Sequence, residues 1–215
     1  MLKKSKSAVK PPVRDPDKTR RRILNAALKE FSARGFAGAR VNEIARRAAI
    51  NKRMLYHYFE DKEGLFRAVL RDKIQSRMHQ VEAKVSDEDL VSSMPQWFRQ
   101  NCQDGDWVRL LAWESLQTLK DKVLDEKART ALIRLGAAKI KEKQVAGVLR
   151  TDVSPLHLLL AKVSLSMFPM AMPQVARLIL GHTPRDVKFQ AEYTLFLQKI
   201  AQAFRAAAAP KGSQS

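Results

Sequence analysis

Very little in this chain can carry covalent or metal chemistry. A single cysteine, Cys102, excludes an internal disulfide and a cysteine-rich zinc cluster, and suits a reducing compartment. No base lies near it in sequence, so its expected role is a small core filler. His57, His79, His157 and His182 fall at no metal-ligand spacing, and the eight glycines form no phosphate-cradling loop. Catalysis, a cofactor and a bound metal are therefore not expected. Strand alternation and internal repeats are lacking too. The most apolar run, Leu156–Met172, is interrupted by His157, Lys162 and Pro169, which leaves it too short and broken to span a bilayer. Met1–Pro12 is basic and polar, without the apolar stretch of a secretory signal. A cytoplasmic protein with no membrane partner is the expectation.

The other shortage is of negative charge. Against 40 Lys and Arg stand 22 Asp and Glu, for a formal net charge of +18. The excess is uneven: residues 1–62 hold 17 basic against 6 acidic residues, and the remainder 23 against 16. Such a concentration favours a polyanionic partner, although a solvated surface can be equally basic.

Beneath that charge lies a pattern. Val41, Ile44, Ala45 and Ala48 fall at i, i+3, i+4 and i+7, the apolar stripe of one helix. Ala49-Ile50-Asn51 interrupts, and a second short helix follows, with Leu55 and Phe59 inward and Lys52, Arg53, Tyr56 and His57 outward. Ala45 is small where the two would cross. Two helices joined by a tight turn, the second carrying cations and hydroxyl-bearing aromatics, read as a helix-turn-helix, whose second helix can lie in a major groove. If Ala49 in that turn adopts left-handed angles, its methyl group costs ~1–2 kcal/mol.

The rest of the chain reads as helices. Met1–Arg14 is expected to be a disordered basic arm, either reaching along DNA or merely solubilising. Asp15-Pro16 caps a first helix through Ile23, Leu24, Ala27, Leu28 and Phe31, with Gly35 as its left-handed stop. Thr19 and Arg20–Arg22 lie near its start, where a duplex backbone could pass. Arg40, in place of a good cap, is a candidate phosphate or minor-groove contact. Asp61 caps a long fourth helix to about Val85, the expected sole rigid link to a second unit. Ser86–Asp89 reads as the start of a fifth helix, followed by helices over about Trp107–Leu119 and Val123–Val148. Leu156–Phe168 is apolar all round, should be buried on every side, and is expected to end at Pro169 and Pro173. Thr183–Asp186 caps a last helix through Phe189, Tyr193, Leu197, Ile200 and Phe204. The fold expected is all-α with about nine helices. Residues 15–62 form an N-terminal three-helix DNA-binding domain, 63–207 a helical ligand-binding and dimerisation domain, and 208–215 a disordered tail.

Phe31…Gly35-Phe36, the bihelical stretch ending Leu55-Tyr56-His57-Tyr58-Phe59, and Lys62-Glu63-Gly64-Leu65 together resemble the TetR family of one-component transcriptional regulators over about residues 18–70. The C-terminal half, from Gly147-Val148-Leu149 through Gly181 to Tyr193, is loosely similar to the pyrimidine-responsive Rut repressor branch. The resemblance implies a homodimer in which the helices Leu156–Phe168 and Val187–Phe204 pair across a two-fold axis. It also implies that Asn42, Lys52 and Arg53 face base edges, with Tyr56 and His57 shared between bases and backbone, and that Tyr58 and Lys62 hold phosphates. Asn51, at the head of the reading helix, completes the set with Arg40. Tyr58 has an alternative packing role.

The function expected is a sequence-specific regulator, a repressor released from a pseudo-palindromic double-stranded operator by an unknown small-molecule effector. Trp97, Trp113, Met167 and Phe168, large apolar groups on core helices, are candidate pocket residues or simply core. An effector-independent architectural DNA-binding protein is the competing reading.

Overall fold

The computed structural model describes residues 15–84, 93–117, 123 and 125–206, and among them the only regular elements are ten helices. The N-terminal part comprises α1 (Pro16–Gly38), α2 (Val41–Arg47) and α3 (Lys52–Phe59), and α4 (Lys62–Lys84) leads away from it. There follow α5 (Met94–Gln103), α6 (Gly105–Gln117), α7 (Glu126–Val145), α8 (Pro155–Ala171), α9 (Pro173–Leu180) and α10 (Val187–Ala203). The basic arm, the Ser86–Asp89 start and the C-terminal tail lie outside the described residues.

Local chemistry sets most of the boundaries. The Asp15 carboxylate accepts from the backbone N–H of Asp17 and Lys18 at 3.0 and 3.2 Å, with Pro16 opening α1. The Asp61 carboxylate accepts from Gly64 N–H at 2.6 Å at the head of α4. Gly35 has the expected positive φ, 67°, but ψ is 179°, so α1 breaks there and resumes through Gly38 instead of stopping. At α10 the Asp186 carboxylate accepts from Thr183 N–H at 2.8 Å, tightening the preceding turn without capping the helix.

Two hydrophobic cores result. One joins Ile23, Leu24, Ala27 and Phe31 of α1 to Ile44, Leu55 and Phe59 of the bihelical unit and Leu65, Phe66, Val69 and Leu70 of α4. The other packs Met94 and Phe98 of α5 against Ile140, Leu158, Phe189 and Leu197, with Phe98, Phe189 and Tyr193 in ring contact. Among the described residues α4 is not the only bridge between them. Helix α6 packs along α1 and sends Leu110 into the first core. Its Asp106 faces Lys29 Nζ and accepts from Ser32 Oγ at 2.8 Å, while Trp113 Nε1 donates to Ser32 O at 3.3 Å.

Helix α8 departs furthest from expectation. Pro169 lies inside it, and the helix runs on to Ala171. A proline there leaves the carbonyl four residues back without its helical donor. That carbonyl, of Leu165, accepts instead from the Tyr193 hydroxyl of α10 at 3.0 Å. Nor is α8 buried all round. Its buried face carries Leu158, Lys162, Ser166 and Pro169, whereas Leu156, Leu160 and Phe168 are exposed. The Lys162 ammonium sits 4.1 Å above the Trp97 ring, a cation–π contact within the core. The extra short helix, α9, follows immediately. No single helix among the described residues is long and apolar enough to cross a membrane; α8 and α9 together have the length but meet at 91°.

Candidate nucleic-acid interface

The reading head is a short two-helix unit clamped on a rigid base. Ile44, Ala45 and Ala48 from α2 and the turn meet Leu55 and Phe59 of α3 over the α1 side chains, all of them buried. Asn51 Oδ1 accepts from Met54 N–H at 2.7 Å, which fixes the first turn of α3. The cap thus holds the Asn51 side chain against the first turn of α3. Ala49 adopts φ of 50°, the left-handed conformation that the turn requires. Its carbonyl accepts from Arg22 Nη2 at 3.2 Å, and the Ala48 carbonyl accepts from the same group.

That contact revises the part given to the N-terminal cations. Arg22 neutralises the carbonyls of the turn, and the Arg20 guanidinium lies 5.6 Å over the Phe59 ring. Both lock α1 to the bihelical unit. A carboxylate that the sequence reading passed over does the same from the other side. Glu30 is fully buried, accepts from Arg40 N–H at 3.2 Å and lies 3.3 Å from Arg34 Nε. Its second oxygen has no hydrogen bond and stands 3.6 Å from Arg47. The only signal was an acidic residue on the apolar stripe of α1, three positions after Ala27.

On the outer surface Lys52, Arg53 and His57 are exposed, with Tyr56 and Tyr58 half-buried between them. The Lys52 ammonium lies 5.6 Å over the Tyr56 ring, and the His57 and Tyr58 rings meet edge to face at 5.9 Å. These contacts restrict the aromatic side chains before any partner arrives. Arg40, Asn42, Arg46, Lys52 and Tyr56 line a concave surface of about 670 Å3 between α2 and α3. Glu43 also lies there, but its carboxylate accepts from Arg46 Nε at 2.8 Å, a bond that holds it below the usual carboxylate range. Lys62 is placed apart from this group. Its ammonium donates to Ala37 O at 3.2 Å and lies 5.0 Å over the Phe36 ring, so it ties α4 to the end of α1. Exposed donors held in pre-aligned positions on a convex helix, with a cationic groove beside it, are what major-groove readout and phosphate anchoring need.

The four candidate pocket residues do not converge. Trp113 packs on Gly35 at the α1–α6 contact, Trp97 lies under Lys162, and Phe168 is exposed in a groove between α8, α9 and α10. Met167 is half-buried on α8 and does not line that groove. Size and apolarity alone had selected them, and neither property reports which way a helix turns.

Comparison with known proteins agrees with this geometry. Residues 23–69 match the family model for bacterial regulatory proteins of the tetR family. Residues 89–206 match the tetracyclin repressor-like C-terminal domain. The HTH-type transcriptional repressor SCO4008 of Streptomyces coelicolor is 29% identical over 168 residues, covering 78% of this chain and 86% of its own. The HTH-type transcriptional regulator RutR of Escherichia coli K12 is 36% identical over 77 residues, 36% of each chain. The crystal structure of a transcriptional regulator, SCO4942 of Streptomyces coelicolor, superposes with a TM-score of 0.66 at 25% identity, covering 85% of this chain and 97% of that one.

Proposed function

Since the chain belongs to the TetR family, and is accordingly a DNA-binding transcriptional regulator and not an enzyme, we propose that it is a homodimeric repressor that a small molecule releases from a pseudo-palindromic operator. Residues 15–62 read DNA and 63–207 hold the partner and the effector, in the cytoplasm where the DNA lies. The observation that carries the reading is the exposed row Lys52, Arg53 and His57 on a helix whose opposite face, Leu55 and Phe59, is buried. A surface helix needs polar groups; it does not need a lysine braced on one tyrosine and a histidine on another.

The exposed apolar face of α8 supports dimerisation. Leu156, Leu160 and Val163 recur on its outward face, and Leu195 and Phe196 extend the apolar surface on α10. Leu160 is 61% and Leu195 59% exposed in the single chain. A patch of that kind marks an association surface, and a two-fold axis gives both copies the same face. Two reading heads then meet half-sites about one helical turn apart, ~34–36 Å. An effector acts through its different affinities for the two spacings of those heads. The α6–α1 contact gives it a route beside α4. The architectural alternative has no use for a C-terminal domain of this kind.

The deciding experiment is footprinting on the DNA flanking the gene, with light scattering on the same sample. A dimer protecting one palindrome supports the reading; a monomer that binds every sequence alike, with a linear salt dependence, refutes it.

A further inference from the structure

A cavity of about 450 Å3 opens between the start of α6, the end of α8 and the turn before α10. Its volume is that of a small-molecule site. Met170, Pro173 and the Cys102 thiol supply an apolar wall, and Asp106, Arg109 and Arg185 supply the charge. The single carboxylate is already committed: Asp106 Oδ1 accepts from Ser32 Oγ and Oδ2 faces Lys29, both on α1. Arg109 and Arg185 make no ion pair within the described residues. The cavity is therefore left with two guanidinium groups against one carboxylate, which feels Arg109 through space but spends its hydrogen bonds on α1. A guanidinium fork matches the two oxygens of a carboxylate, and the apolar wall suits an organic body over an inorganic anion.

We infer that this cavity is the effector site and that it takes a small organic carboxylate, held by Arg109 and Arg185 with its apolar part against Met170 and Pro173. The inference rests on the reading of the chain as an effector-released repressor. It also supplies a route for release. Arg109 is three residues along α6 from Asp106, on neighbouring positions of one helical face. An anion drawing Arg109 towards Arg185 acts on the segment through which Asp106 holds Lys29 and Ser32. The signal reaches α1 directly, without passing along α4.

The test uses the full chain without DNA. Benzoate, phenylacetate and octanoate are each compared with the corresponding amide, which keeps the shape and lacks the charge. Cys102, the sole cysteine, reports occupancy through its alkylation by iodoacetamide, followed by intact mass. At least one acid is expected to slow alkylation several-fold, its amide to have no effect, and Arg109→Gln and Arg185→Gln each to abolish the protection. Equal protection by an amide, protection that survives both substitutions, or no protection by any of the three acids overturns the assignment. The protecting acid is then added to the operator complex. Release in the parent protein but not in Ser32→Ala, which keeps both guanidinium groups and cuts the bond from Asp106 to α1, supports the route through α6, and unchanged operator affinity in the parent overturns it. Protection in a protein that binds no operator would refute the repressor reading while leaving the carboxylate site in place.

Discussion

Gly35→Ala tests whether the reading head is held to the core through α6. Gly35 has φ of 67° and ψ of 179°, a combination essentially confined to glycine. Forcing alanine into it costs about 1–3 kcal/mol. A Cβ on Gly35 would also stand 2.7 Å from Cε3 and 2.8 Å from Cδ2 of Trp113, well inside contact distance. The indole is pinned by its bond to Ser32 O, so the overlap is relieved only by moving α6 away from α1. Overpacking of this kind costs about 1–3 kcal/mol. The stiffer unfolded chain of the alanine variant returns only about 0.4–1 kcal/mol. The net expectation is a loss of about 2–5 kcal/mol, a fall in Tm of roughly 5–15 °C for a chain of this length. A double-mutant cycle with Trp113→Ala separates the parts. In the Trp113→Ala background the steric part vanishes, and Gly35→Ala should cost about 1–3 kcal/mol less than in the parent. Urea and thermal denaturation of the four proteins measure both quantities. A loss below about 1 kcal/mol for Gly35→Ala, or the same loss in both backgrounds, would refute the reasoning.

Three further substitutions address the reading head and the partner face. Ala49→Gly removes a methyl group from left-handed backbone, a gain of ~1–2 kcal/mol less the added freedom of the unfolded chain, so Tm should rise; a fall would mean that φ of 50° carries no strain there. Arg53→Ala should weaken operator binding by ~1–3 kcal/mol and relax one base position; an equal loss on scrambled DNA in a binding titration would make it a backbone contact instead. Tyr193→Phe leaves the Leu165 carbonyl without the hydroxyl donor that replaces the one Pro169 lacks, and should cost about 1–3 kcal/mol by denaturation. Burial pushes Tyr193 from its usual 10.0 to about 12, so above pH 10 the unfolded chain releases this proton first. Its contribution is then complete below pH 10 and lost as pH rises to about 12. That part of the alkaline slope should be missing in Tyr193→Phe; an unchanged slope would show that the tyrosine does not contribute.

Local signals were strong wherever neighbours in sequence are neighbours in space. The stripe Val41, Ile44, Ala45 and Ala48, the capping residues Asp15 and Asp61 and the positive φ demanded of Ala49 all involve atoms within a few residues of one another. For such features periodicity and capping chemistry are nearly sufficient. At Asn51 and Lys62, expected as DNA contacts from their place in the motif, the structure adds roles within the protein: one caps α3 through its side-chain oxygen and the other reaches the Ala37 carbonyl. At α8 the local logic misled at Pro169, which marked an end that the helix passes; the leucines that a single chain leaves exposed there lie on the proposed partner face.

By itself, then, the amino-acid sequence determined the helical class, the bihelical motif and the sign of the charge on its outer face. These depend on the order of residues along single helices, where a side chain's direction repeats every 3.6 positions. Only the tertiary structure decided that Asp106 and Trp113 grip α1, that Tyr193 makes Pro169 tolerable, and that Lys162 points inward while Leu160 points out. Each joins groups 28 to 81 residues apart, or depends on which side of a helix its neighbours occupy. No periodicity along one segment carries that information, because the pairing is set by how the helices cross.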